Sequence, residues 1–215
     1  LNSKAFKRWL SRQYFLNQGK APSAQALQDA ISVLAGQALF EGQEHQVYTR
    51  LAEDDGKIYL DLADKAWHAV EMGLNGWRII SDPPVKFRRP NGMLPIPSPV
   101  RDGGIESLRR FVNVCDVDWP LVLAWLVAAL RNIGPYPVMV LSGEHGSAKS
   151  TTERVLRRLV DPNKSDLRSE PKEPRDLMIA ATNGLVVALD NLSHLSPWLS
   201  DALCRLSTGG GFSTR

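Results

Sequence analysis

Residues 143–150 read Gly-Glu-His-Gly-Ser-Ala-Lys-Ser, and further on an apolar run ends on a single acid, Asp190. Gly143 and Gly146 permit a tight loop, Lys149 offers a mobile cation, and Ser150 offers a hydroxyl. Those residue types suit the holding of phosphate. Loop amides and the free N–H groups of a helix start converge on anionic oxygens, and the helix dipole adds positive potential there. The spacing is Gly-x-x-x-x-Gly-Lys-Ser/Thr with one departure, Ala148 where a second glycine would stand. Alanine is unstrained there only at negative φ, so the sequence predicts that value for Ala148.

The flanking elements give the motif its meaning. Residues 138–141 (Val-Met-Val-Leu) have the length and branching of a buried strand, and the stretch from Lys149 carries Val155, Leu156, Leu159 and Val160 at helical spacing. Strand, loop and helix in that order are a P-loop. The alternative, a glycine-rich turn that happens to carry a lysine, leaves both flanks unexplained. The expected nucleotide contacts are Gly143, Glu144, His145, Gly146, Ser147, Ala148, Lys149, Ser150 and Thr151. Lys149 would reach the β- and γ-phosphates of ATP, and Ser150 would be a Mg2+ ligand. Residues 185–189 (Leu-Val-Val-Ala-Leu) read as a second buried strand, and ligands gather at the carboxyl ends of such strands. Asp190 therefore stands where Mg2+ is held, unless it merely caps a turn. The residue after it is Asn191. An amide accepts no proton, though it can orient water; Glu144 is another candidate base.

The rest of the chain must position these groups. Residues 3–17 and 23–40 read as a helical pair, with Phe6, Trp9, Leu10, Tyr14 and Leu16, then Leu27, Ile31, Leu34 and Leu39, as core stripes rather than a base-stacking platform. Residues 47–62 form a predicted hairpin about Asp55-Gly56 and residues 67–80 a second; residues 84–89 would complete an antiparallel meander. Residues 90–104, rich in proline and glycine, read as a connector. The expected division is an accessory α+β domain at 1–104 (helical pair 1–42, meander 43–89, connector 90–104) and an α/β domain with a parallel sheet at 105–215.

Composition narrows the class. Hydrophobic content of 43%, charge of 23% and a net charge of +3 suit an ordinary globular chain with no membrane association. Residues 1–20 hold Lys4, Lys7, Arg8, Arg12 and Lys20 with no acid before Asp29. Such a helix docks on phosphates or acidic membranes, or is simply a solvated face. Cys115 and Cys204 read as buried thiols of a reducing, cytoplasmic compartment. Leu1 is not a methionine, and Arg215 falls inside a motif, as in a piece of a longer chain.

That motif is LCRLSTGGGFSTR, after Asp190. The order of P-loop, strand with Asp190, and Leu203, Arg205, Leu206, Thr208, 209–211 and Arg215 resembles the superfamily 3 helicases. These are AAA+ P-loop ATPases of phage and mobile-element replication proteins, often primase–helicases. The resemblance covers residues 105–215. It implies a magnesium-dependent ATPase with Lys149, Asp190 and Asn191 at the catalytic centre, a homo-oligomeric ring, and single- or double-stranded DNA touched through Arg205 and Arg215. It also implies an AAA+ domain incomplete at its carboxyl end, without the family's polar sensor strand and arginine finger. Two other readings compete: a regulatory nucleotide-binding module that hydrolyses weakly, as Ala148 and Asn191 suggest, and a stand-alone kinase-like enzyme, which would need an acceptor lid.

Overall fold

A computed structural model of the chain describes residues 3–209, which fall into two compact units, Leu1–His45 and Gln46–Arg215. The first is a helical pair, α1 (Lys4–Gln18) and α2 (Ala24–Phe40). Both helices start at serines whose hydroxyls accept an N–H at 3.1 Å, Ser3 from Phe6 and Ser23 from Ala26. Gly19 closes α1 at φ 68°, its N–H reaching the Phe15 carbonyl. Ile31 is the one buried residue in the two helices. The expected aromatic core is only partly formed. Phe6 and Leu10 are half-buried, while Trp9, Tyr14 and Leu16 are exposed. At 3.6 residues per turn Phe6 and Leu10 share one side of α1, whereas Trp9 and Leu16 flank Arg12 on another.

The second unit opens with β1 (Val47–Tyr48), followed by a four-stranded antiparallel meander of β2 (Leu51–Asp54), β3 (Lys57–Asp61), β4 (Ala69–Gly73) and β5 (Gly76–Ile80). Asp55 and Gly56 take φ of 49° and 68°, the paired left-handed geometry of a tight hairpin. Two details differ from expectation. Arg50, at φ 66°, breaks the predicted strand between β1 and β2. The segment near 86 does not extend the meander either; as β6 (Lys86–Phe87) it pairs in parallel with β1.

The connector is not a boundary. The Leu94 N–H donates to the Pro162 carbonyl at 2.9 Å and the Ile96 N–H to the Leu62 carbonyl at 2.9 Å. Beneath it lies the fully buried Arg50. Its Nε donates to Asp161 Oδ1 at 3.2 Å, and its other nitrogens donate to the carbonyls of Asp61 (3.0 Å), Leu94 (2.8 Å) and Pro162 (3.2 Å). Such a cation is stable in a core only with this many partners. Through it the meander and the chain beyond residue 105 fold together, and the division falls after His45.

Beyond a short 3-10 helix (Ile105–Arg110) come α3 (Trp119–Ala129), α4 (Lys149–Val160), α5 (Pro174–Thr182) and α6 (Pro197–Ser207). Leu108, Val112, Trp119, Val122 and Leu126 pack with Leu156 and Val160 of α4. Leu177 of α5 packs with Leu199 and Ala202 of α6. Among the described residues the predicted parallel sheet amounts to one bridge, Arg168 to Leu189. Residues 138–141 join no ladder, and Val138 (54%) and Val140 (79%) are exposed, so their apolar side chains lack the covering layer a central strand has. Cys115 and Cys204 are exposed rather than buried. No helix among the described residues is long and apolar enough to cross a membrane.

Candidate nucleotide site

The loop and the start of α4 form the site's floor. Gly143 and Gly146 have φ of 154° and 82°; a Cβ on Gly143 would lie 2.9 Å from Ser147 Oγ, so glycine suits both torsion and space. Ala148, the residue before α4, sits at φ 61° and ψ 23°, against the expected negative φ. The turn that delivers the loop into the helix requires the left-handed conformation whichever residue occupies it, and alanine bears the strain. No side chain caps α4 there, so its first amides are open to an anion.

Lys149 folds back over this loop. Its Nζ donates to the carbonyls of Gly143 (2.8 Å) and Glu144 (2.7 Å), with Ser147 Oγ at 3.4 Å. The loop is braced from outside by Asn113, whose Nδ2 donates to the Ser147 carbonyl at 3.0 Å and whose N–H donates to Thr152 Oγ1 at 3.3 Å.

Across the site stands Asp190. Ser150 Oγ donates to its Oδ1 at 2.9 Å, joining residues forty apart in sequence. The Asn191 N–H donates to the same oxygen at 2.9 Å, with Asn191 at φ 62°. Asp190 is carried by a segment tied at its start: Asp161 Oδ2, at the end of α4, accepts the N–H groups of Leu185 (2.8 Å) and Val186 (3.1 Å). One buried carboxylate thus fixes the end of α4 against residues 185–190. Lys149, Ser150, Asp190, Asn191 and His145 line a common cavity of about 1560 Å³.

A family model of the actinomycete integrative conjugative element replication protein matches residues 105–215, the stretch that holds all these groups. The chain belongs to that family. No curated protein and no solved structure matches it.

The replication protein thus brings together Lys149, Ser150, Asp190 and Asn191, with the loop from Gly143 to Ser147 beneath them. Glu144, His145 and Thr151 are exposed at the rim. Arg205 is exposed on α6, and Arg215 lies outside the described residues. Glu153, which the motif alone did not single out, lines the same cavity. Removal from water pushes its carboxyl up to about 7, and the Asp190 carboxylate adds to the rise. Its position, one turn beyond Ser150 on α4, was the available signal. Among the described residues no group of three or more His, Cys, Asp or Glu side chains could hold a metal ion. Ser150 and Asp190 do present two hard oxygens side by side, and Mg2+ takes few protein ligands beside phosphate and water, so the pair fits that ion.

Proposed function

We propose that this replication protein binds ATP with Mg2+ at residues 143–151 and Asp190, and that hydrolysis there drives a helicase or primase–helicase step in replication of its mobile element. The observation that supports this most strongly is the 2.9 Å hydrogen bond between Ser150 and Asp190. Loop spacing alone occurs by chance; a distant acid seated on the hydroxyl next to the lysine is what an Mg–nucleotide site requires. The open amides at the start of α4 take the phosphates. Lys149 exchanges the carbonyls of Gly143 and Glu144 for phosphate oxygens. Ser150 and Asp190 would hold Mg2+, which would supply positive charge against the phosphate oxygens. Asn191 orients water through its amide. In this reading the protein forms a ring and touches DNA through Arg205 and Arg215.

A second reading is favoured by Asn191: with no acid beside Asp190, the site binds nucleotide, hydrolyses it slowly and acts as a regulatory switch. ATP affinity and turnover, with and without single-stranded DNA, separate the two. Lys149→Ala should abolish measurable ATP affinity with an unchanged circular dichroism spectrum. Asp190→Asn should keep affinity and lower magnesium-dependent kcat on the order of 10²-fold, the scale of losing one aligned electrostatic group. DNA-stimulated turnover by the native chain supports the motor; binding without turnover supports the switch. Wild-type affinity in Lys149→Ala would refute both.

A further inference from the structure

We infer that the outward face of α1 is a binding site for single-stranded nucleic acid, separate from any contact made by residues 105–215. The inference rests on the first unit alone and not on the nucleotide reading.

Lys4, Arg8 and Arg12 follow one another at i, i+4 spacing, so they stack along one face of α1. All three are exposed, and among the described residues none forms an ion pair. Residues 4–18 contain no acid. This placement opposes the helix on two counts. Like charges at i, i+4 repel. Lys4 and Arg8 also stand in the amino-terminal half, where the helix dipole is already positive, while the last turn has no cation. A polyanion lying on that face removes both penalties.

The aromatic side chains identify which polyanion. Trp9 (52% exposed) and Phe15 (54%) stand three residues either side of Arg12, with Leu16 (59%) four beyond it. Phe15 is therefore set among the cations, and Trp9 borders them, stacked on Phe6 with ring centroids 5.6 Å apart and about half of its surface open to solvent. A duplex offers phosphates but keeps its bases stacked; a single strand offers phosphates and free bases together, which is what rings interleaved with cations recognise. A membrane-surface helix separates its apolar and basic faces. Here Phe15 lies within the basic face and Trp9 and Leu16 along its edge, while Phe6, on which Trp9 stacks, and Leu10 are half-buried in a helix that contacts α2.

The test is fluorescence anisotropy of labelled oligo(dT), its duplex with oligo(dA), and phosphatidylserine vesicles against the whole chain. Replacing Lys4, Arg8 and Arg12 together by Gln should lower the slope of log affinity against log salt by about 2, at roughly 0.7 per phosphate on a single strand. Trp9→Ala with Phe15→Ala should weaken oligo(dT) binding about tenfold or more at an unchanged salt slope, and leave duplex binding unaltered. Trp9→Tyr with Phe15→Tyr should restore it, which a loss of folding would not allow. The inference is overturned if neither set moves oligo(dT) affinity. It is equally overturned if the alanine pair weakens vesicle binding instead, or if tyrosine fails to restore binding while helix content is intact.

Discussion

Ala148 carries a conformation its side chain resists. At φ 61° an alanine costs about 1–2 kcal/mol over a right-handed residue, whereas glycine enters that region freely. Glycine loses more freedom on folding, about 0.5–1 kcal/mol. Ala148→Gly should therefore raise stability by up to about 1 kcal/mol, read from the urea midpoint; a lower midpoint would mean that the left-handed turn is not populated in solution. Glu153 makes a second residue-scale prediction. Its folded pKa is about 7 against an ordinary 4.5, so between these values the folded chain holds a proton that the unfolded chain has released. The stability this carboxyl contributes is complete below the ordinary value and is lost as pH rises through 7. Glu153→Gln should flatten that fall in a series of urea midpoints from about pH 5 to 8; an unchanged slope would assign it to another group.

At the scale of elements, the tie between Arg50 and Asp161 matters most. Arg50→Met should destabilise the second unit by about 3–5 kcal/mol, because it leaves Asp161 charged and buried without its cation. Asp161→Asn on that background should recover part of the loss, since an amide oxygen still accepts the Leu185 and Val186 N–H groups. Additive losses in thermal or urea unfolding would show that the two residues are not coupled. This tie left no trace in the sequence. Hairpins and helices were legible because their signals are local: Asp55-Gly56 at a turn, serines before α1 and α2, Val155, Leu156, Leu159 and Val160 on α4. Arg50 and Asp161 stand 111 residues apart, and no propensity links them. The connector's prolines and glycines read as a linker, yet Leu94 and Ile96 are hydrogen-bonded into the fold. At the candidate site, the nearness of Gly143, Lys149, Ser150 and Asp190 was legible, because their spacing pointed to one loop and one strand end meeting there. The φ of Ala148 was not, since residue type argued for the opposite sign. Glu153 was hidden because an acid on a charged helix reads as solvated. The parallel sheet was read from apolar runs at 138–141 and 185–189; a run reports burial preference, and pairing needs partner strands that the described residues supply only at Arg168.

At the scale of the molecule, the chain divides between its helical pair and everything after it. Glu41 and Glu44 are exposed between α2 and β1. A glutamate-specific protease should cut there first and leave the chain from Gly42 or His45 onward as one resistant piece, seen by mass spectrometry. A first cut at Glu106 that separates the meander from α3 would restore the boundary at residue 104. The family match begins at residue 105, so the stretch recognisable by descent is smaller than the stretch that folds. Recombination sees only sequence. A crossover between residues 51 and 160 onto a parent with no cation at position 50 would deliver Asp161 as a buried carboxylate without its partner. Arg50 thus stands outside the matched region while the carboxylate it neutralises stands inside it.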